Sequence, residues 1–364
     1  AHTRRFSPHP WQIPAVFAPP APLSDHYPNA SAALYREWLQ QQSAWSEFRC
    51  HNQPQAPVVI TSWQGHRHWG NPQRPRVPPL PQLPQLPEPS ESPGPAPATE
   101  AIGWGSLDPA HLAVCVHGFH LPVLERILEH LINARAAQGG VDLYLSVPHD
   151  RLEAAVALLQ ANGWPRVRVY AVENRGRDLA PFLLQLLPAV QRQGHRIFLK
   201  LHTKLSSHLD DGRPWGDHLL ASLLDPTVLT TLVQRFAHQE QLGLLAPPGT
   251  LLPCCLNLGS NAPQLARLAR LHGVDPRALL ASSFIAGTMM AGRVACLEPL
   301  LRPSWSLEPF EPECGQTDGT LAHALERWIA VLVGQGGWRI EELPGAAGAV
   351  PGFGYAWVRE PEDI

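Results

Sequence analysis

Between residues 112 and 201, short apolar runs alternate with longer stretches of helical period, and this alternation leaves the chain few folds. Residues 112–116 (LAVCV), 142–147 (DLYLSV), 167–172 (VRVYAV) and 196–201 (RIFLKL) read as strands, each a brief apolar run bounded by polar or turn residues. Between them, 122–136, 149–162 and 179–193 repeat apolar residues every three or four positions. In the first of these, Leu124, Ile127, Leu128 and Leu131 share one face. Gly163 and Pro165 stop the second. Strands separated by helices of this length run parallel and are covered on both faces. The expected fold is therefore α/β: a Rossmann-like, open, mostly parallel sheet with helices on both faces. Ligands of such sheets sit beyond the carboxyl ends of the strands, which directs attention to the residues after each strand.

Proline divides the chain before this sheet begins. Eleven of the 40 prolines fall in residues 72–97, a composition that disfavours helix and central strand and favours extended polyproline II. Three parts are expected: an N-terminal segment (1–70), a proline-rich linker (71–106) and a main domain (107–364). The N-terminal segment offers one helical stretch at 32–45 and one strand-like run at 57–63, too little for a core of its own. The first residue is Ala1, not Met, so the chain reads as a portion of something longer.

Charge and cysteine usage exclude several classes. A net charge of −3 with 16% charged residues does not suit a general nucleic-acid binder. The six cysteines lack metal-ligand spacing, and scattered thiols fit a reducing compartment. No apolar run reaches the roughly 18 residues of a membrane span. The expected location is the cytoplasm, at most peripheral to the inner membrane.

Three polar clusters follow the strands. The first holds His117 and His120; the second, Asn174, Arg175, Arg177 and Asp178; the third, His202, Thr203, Lys204 and Ser206. Asp178 reads first as the N-cap of the helix it precedes. Together the clusters offer guanidinium, ammonium and imidazole groups beside a helix N-terminus, a set that suits a diphosphate. The chain has neither G-x-G-x-x-G nor a P-loop, which argues against dinucleotide redox chemistry and P-loop hydrolysis. Further on, 284–293 (FIAGTMMAGR) is strand-like, with Gly287 where a backbone or ligand approaches closely. Glu311, Glu313 and Asp318 form a dense carboxylate group ahead of a helix that Thr320 or Asp318 can cap, and one of the three is the natural general base. Glu326 and Arg327 read as a structural ion pair on that helix.

In these phrases the chain resembles the rhamnan-synthesis F family of bacterial polysaccharide-assembly proteins. The matching stretches are VENRGRDLAPFL (172–183), LKLHTKLSSH (199–208), Trp215 with the leucines at 219–224, FIAGTMMAGR and ECGQTDGTLAHALER (313–327). The resemblance implies a glycosyltransferase of surface-polysaccharide synthesis. It implies an acceptor or sugar pocket at His120, Trp215, Gly287, Thr288 and Met289. At His120, and from Thr288 onward, the chain departs from the family's aromatic residues, which puts rhamnose itself in question. A more remote similarity is to GT-A transferases, whose fourth strand ends in an Asp-x-Asp pair holding a divalent metal. His202, Thr203 and Lys204 stand there instead, which implies protein cations in place of a metal. The run VVITSWQGHRHW resembles the last strand of the WbsX-like barrels that precede carbohydrate-assembly modules, without their carboxylate.

The resulting expectation is an inverting, metal-independent glycosyltransferase with no cofactor beyond its nucleotide-sugar donor. Glu313 is the preferred base, ahead of Asp318 and Glu311. His117, Asn174, Arg175, Arg177, Asp178, His202, Thr203, Lys204 and Ser206 serve the donor diphosphate and nucleotide. The expected partners are a glycan or lipid-linked glycan acceptor and other assembly domains. The alternatives are a non-catalytic glycan- or nucleotide-sugar-binding module, and a hydrolase or phosphatase using Asp178 and the histidines.

Overall fold

The computed structural model describes residues 85–87, 101–135, 140–203, 212–254, 257–316 and 318–344, without the side chains of 133–135, 212–215 and 280. The expectations at 32–45 and 57–63, Lys204, Ser206 and the Trp215 side chain lie outside the described residues.

Ten strands are described: β1 (Ile102–Trp104), β2 (Leu112–His117), β3 (Val141–Pro148), β4 (Val167–Val172), β5 (Ile197–His202), β6 (Leu242–Ala246), β7 (Leu251–Pro253), β8 (Ser283–Ile285), β9 (Met290–Arg293) and β10 (Arg339–Glu342). Eight form one sheet in the order β1-β4-β3-β2-β5-β9-β6-β10, and β7 and β8 pair separately. β2 to β5 are parallel neighbours, β10 is parallel to β6, and β9 runs antiparallel between β5 and β6. The sheet is thus open, mostly parallel and α/β, as expected.

Its centre follows from covered faces. Every residue of β2 and β3 is buried, because the helices α1 (Leu121–Arg135) and α2 (Leu152–Ala161) and the composite α3 shield a continuous apolar run. The composite helix α3 has three segments, Leu179–Pro181, a wide π turn Phe182–Leu186, and Leu187–Gln193. Pro188 cannot donate to the carbonyl four residues back, and widening the preceding turn avoids its ring clash. Gly194, at φ 84°, ends the helix in the left-handed conformation that glycine accepts without strain.

Later in the chain come α4 (Gly212–Leu224), α5 (Pro226–His238), α6 (Ala262–His272) and α7 (Leu321–Gln335). α5 starts at Asp225, whose carboxylate accepts from the Thr227 and Val228 amides. α7 is buried along most of its length; Leu325, Trp328, Ile329 and Val333 join the main core. Burying each aliphatic residue of this kind contributes roughly 1.5–3 kcal/mol.

Two expectations need correction. Ile102–Trp104, expected as the end of the linker, pairs antiparallel with β4 at the sheet edge, and Leu86 packs against the core. The run at 284–293 is two strands in different sheets, not one. Gly287 at φ 82° and Thr288 at φ 56° turn the chain between β8 and β9. A left-handed pair cannot continue a strand, and the Gly inside the apolar run was its signal.

Candidate functional site

The sheet order fixes which loops meet at the carboxyl edge. Across it stand Glu173 to Arg177 after β4, His149 to Arg151 after β3, Gly118 to His120 after β2, and Thr203 after β5. A cleft of about 570 Å³ opens there, lined among others by His149, Asp150, Glu173, Asn174, Arg175 and Glu313.

Beneath the edge lies a buried polar centre. Lys200, only 1% exposed, donates to Asp178 Oδ2 at 2.5 Å, Thr288 O at 3.1 Å and Thr288 Oγ1 at 3.0 Å. Three N–H bonds meet three acceptors, which satisfies the ammonium completely. Thr288 Oγ1 in turn donates to Asp178 Oδ2 at 2.6 Å. Burial by itself would push the Asp178 carboxyl up, but the charges of Lys200 and His202 and the bonds from Lys200 and Thr288 hold it well below the usual carboxylate range.

The same turn is gripped at Gly287. His202 Nε2 donates to its carbonyl at 2.7 Å, and its amide donates to Glu326 Oε1 at 2.7 Å. Glu326 also pairs with Arg327 at 3.0 Å, the structural ion pair expected from the sequence. A β-branched residue at positive φ costs of order 1–3 kcal/mol. The bonds to Gly287 and Thr288 offset that cost and hold the turn.

A second strained residue sits above. Arg177, at φ 56°, donates its amide to Glu313 Oε1 at 3.0 Å and its guanidinium to Gln316 O. Arg175 donates to Phe310 O at 2.5 Å and Glu308 O at 3.0 Å and bridges to Pro312. Between them Gly176 has no room for a side chain: a Cβ would lie 2.5 Å from Ala180 and 2.6 Å from the Phe310 ring. The Asn-Arg-Gly-Arg loop and the acidic loop are thus stitched together, and this stitching places Glu313 in the cleft.

Several expected donors turn out to be committed elsewhere. Asp178 does not cap α3 with its side chain, because the carboxylate is held by Lys200 and Thr288. Both Arg175 and Arg177 spend guanidinium bonds on backbone carbonyls. Thr203, fully buried, accepts from the His120 amide at 2.7 Å and donates to His117 O at 3.3 Å, so its hydroxyl ties two strand ends together. Burial pushes the His117 imidazole down to about 4, so at neutral pH it is uncharged, and its Nδ1 meets Ser146 Oγ at 3.0 Å. Asn174 lines the cleft. Among the pocket residues, Met289 is buried in the hydrophobic core and Thr288 in the polar centre.

The three carboxylates also separate. Glu311 accepts from Gln264 Nε2 at 2.6 Å and from the Leu321 amide at 2.8 Å, which anchors it to the start of α7. Asp318 accepts from the Ser260 amide at 2.6 Å and Asn261 Nδ2 at 2.7 Å. Thr320, with His323, caps α7 in its place. Of the three, only Glu313 lines the cleft.

In the sequence Phe119 stands in the cluster after β2 without an assigned role, and Arg151 is not singled out. The Arg151 guanidinium lies 3.9 Å from the Phe119 ring centroid, beside the cleft residues His149 and Asp150. Reading 149–162 as one helix concealed it; residues His149–Arg151 form a separate 3-10 turn. Among the described residues no three carboxylate, imidazole or thiol groups converge to hold a metal ion. His202 donates Nε2–H to the Gly287 carbonyl, and the Thr203 hydroxyl is engaged by the His120 amide and the His117 carbonyl.

A model of the family described as rhamnan synthesis protein F matches residues 97–337. The chain belongs to the rhamnan synthesis protein F family. It is 31% identical over 320 residues to the uncharacterized protein WxcX of Xanthomonas campestris pv. campestris (strain B100), covering 86% of this chain and 43% of that protein. The rhamnan synthesis F chain described here therefore spans less than half the length of the curated relatives it matches. Solved structures resembling it include a mannosyltransferase of Pyrobaculum calidifontis in complex with GDP-mannose and Mn2+ (13% identity, TM-score 0.37, 71% of this chain and 58% of that one). Another is the 4-diphosphocytidyl-2C-methyl-D-erythritol synthase of Anaerococcus prevotii (10% identity, TM-score 0.34, 70% and 95%). Both likenesses are remote.

Proposed function

We propose that this domain is a glycosyltransferase of bacterial polysaccharide assembly. It transfers a sugar, rhamnose or another deoxyhexose, from a nucleotide-sugar to a glycan acceptor. The observation that carries the reading is the cleft at the carboxyl edge, where Glu313 is held beside Asn174 and Arg175 by the Arg177 amide. Membership in the rhamnan synthesis F family supports it. The sheet supports it too, since open, mostly parallel sheets bind their ligands beyond the carboxyl ends of the strands, where this cleft lies.

In this reading Glu313 takes the proton of the acceptor hydroxyl as its oxygen bonds to the anomeric carbon. The bond from that carbon to the diphosphate breaks, the nucleoside diphosphate leaves with the electron pair, and the anomeric configuration inverts. Lys200 and Asp178 do not touch the reactants. They fix the Gly287–Thr288 turn and the start of α3, and so hold the cleft in one shape. In this reading protein cations, in place of a metal, stabilise the leaving diphosphate.

Incubating the protein with a panel of nucleotide sugars and following diphosphate release by mass spectrometry tests this. Release from at least one donor, in the presence of EDTA, is expected. Turnover abolished by EDTA and restored by a divalent cation contradicts the metal-free version. No turnover, together with retained nucleotide-sugar binding, favours a non-catalytic module instead.

A further inference from the structure

The proposed donor needs a cation at the carboxyl edge with hydrogen bonds to give, and most of the cations described there are already tied to protein acceptors. Arg175 is engaged by Phe310 and Glu308, Arg177 by Gln316, and Lys200 by Asp178 and Thr288. His202 Nε2 is engaged by Gly287. Arg151 differs. Among the described residues its guanidinium makes no hydrogen bond; it has a 3.8 Å approach to Asp150, a carboxylate 77% exposed, and the Phe119 ring beneath it at 3.9 Å. A pair that long with an exposed partner is weak.

We infer that Arg151 is the residue that binds the diphosphate of a nucleoside diphosphate at this edge, with Phe119 as the platform holding its guanidinium flat. The inference rests on the nucleotide-sugar reading above and names a cation for its diphosphate.

Three observations carry it. The first is position. Arg151 ends the turn after β3, between the cleft residues His149 and Asp150 on one side and Phe119 and His120 on the other. The second is geometry. A guanidinium lying over a ring keeps its N–H donors in its own plane along the ring face, where the fork can match two phosphate oxygens. Its side chain is 29% exposed, enough to be reached and enough covered to be held.

The third is charge. The cleft beside it carries Asp150, Glu173 and Glu313. Carboxylates repel phosphate but accept hydrogen bonds from sugar hydroxyls. A nucleotide would therefore lie with its ribose toward the carboxylates and its diphosphate toward Arg151.

The experiment is calorimetric titration of UDP, GDP, CDP and dTDP, each against its own nucleoside. The wild-type protein is expected to bind at least one diphosphate more tightly than the nucleoside. In Arg151→Ala that diphosphate should bind about tenfold or more weakly, with nucleoside affinity unchanged. Phe119→Leu should shift binding the same way by less, since the charge remains while its platform is lost. Arg277→Ala, which removes an exposed arginine paired with Asp275, should change neither. A full preference for the diphosphate in Arg151→Ala overturns the inference. So does an equal loss of diphosphate and nucleoside binding, the mark of a structural role. If the wild-type protein binds no diphosphate at all, the nucleotide-sugar reading itself fails, and this inference with it.

Discussion

The two edges of the main sheet each bury an aspartate among cations and put it to different use. At the amino edge Asp142 accepts from the Asp108 amide at 2.6 Å, His111 Nδ1 at 2.9 Å and Arg166 Nε at 2.8 Å. His195 stands 3.7 Å away and bonds to Tyr144 Oη at 2.9 Å. Those partners lie in the segments that lead into β2, β3, β4 and β5, so the cluster binds four strand starts together. The described backbone there has no non-glycine residue at positive φ. At the carboxyl edge Asp178 is held as tightly, but by a turn and a loop that each contain a residue in the left-handed region, beside an open cleft. On the proposed function, the strained edge beside the cleft is the working edge and the unstrained, satisfied one an anchor.

Variants can separate the two. The largest effect expected is on activity. Glu313→Gln keeps an acceptor for the Arg177 amide and removes the base, so turnover should fall by about 10²–10⁴. Stability should stay within about 0.5 kcal/mol. Turnover assays with denaturant titration check both.

Next come Lys200→Met and Asp142→Ala. Lys200→Met leaves the buried Asp178 charge without its partner and should cost about 3–5 kcal/mol of stability. Asp142→Ala leaves the part-exposed Arg166 and His111 without theirs and should cost about 1–3 kcal/mol. They should differ in binding. The folded fraction of Asp142→Ala should keep nucleotide affinity, while that of Lys200→Met should lose it. Equal losses would erase the distinction between the edges.

Acid should then act through His117. Its folded pKa of about 4 lies below the ordinary 6.5, so the fold favours the neutral ring. That contribution is fully present above about pH 6.5 and is lost as pH falls toward 4, up to about 3 kcal/mol. Denaturation at stepped pH should show the loss, and His117→Asn should flatten that limb. The smallest effect belongs to Arg126→Ala. Its pair with Asp217, each side chain 49% exposed, should contribute no more than about 1 kcal/mol, measured by thermal unfolding.

The strands were legible to within one residue from 112 to 202, because strands covered on both faces must be apolar throughout. The clusters that follow them fall at the carboxyl edge for the same reason. What could not be read was the pairing within that edge. Lys200 lies inside β5, and its partners Asp178 and Thr288 are 22 and 88 residues away in sequence. No local pattern encodes such a contact. The insertion of β9 between β5 and β6 was equally hidden, since its run looked continuous until Gly287 and Thr288 turned it. The arginines misled in a different way. A sequence displays a guanidinium as an available cation, whereas Arg175 and Arg177 spend theirs on carbonyls of a loop more than 130 residues downstream.

Hydrogen–deuterium exchange with and without the nucleoside diphosphate that binds tests the central claim most directly, since it reads both edges at once. Slowed exchange is predicted in the loops after β3 and β4 and in the acidic loop around Glu313, with none in the segments leading into β2 and β3. Protection at the amino edge, or at neither edge under saturating nucleotide, would contradict the account.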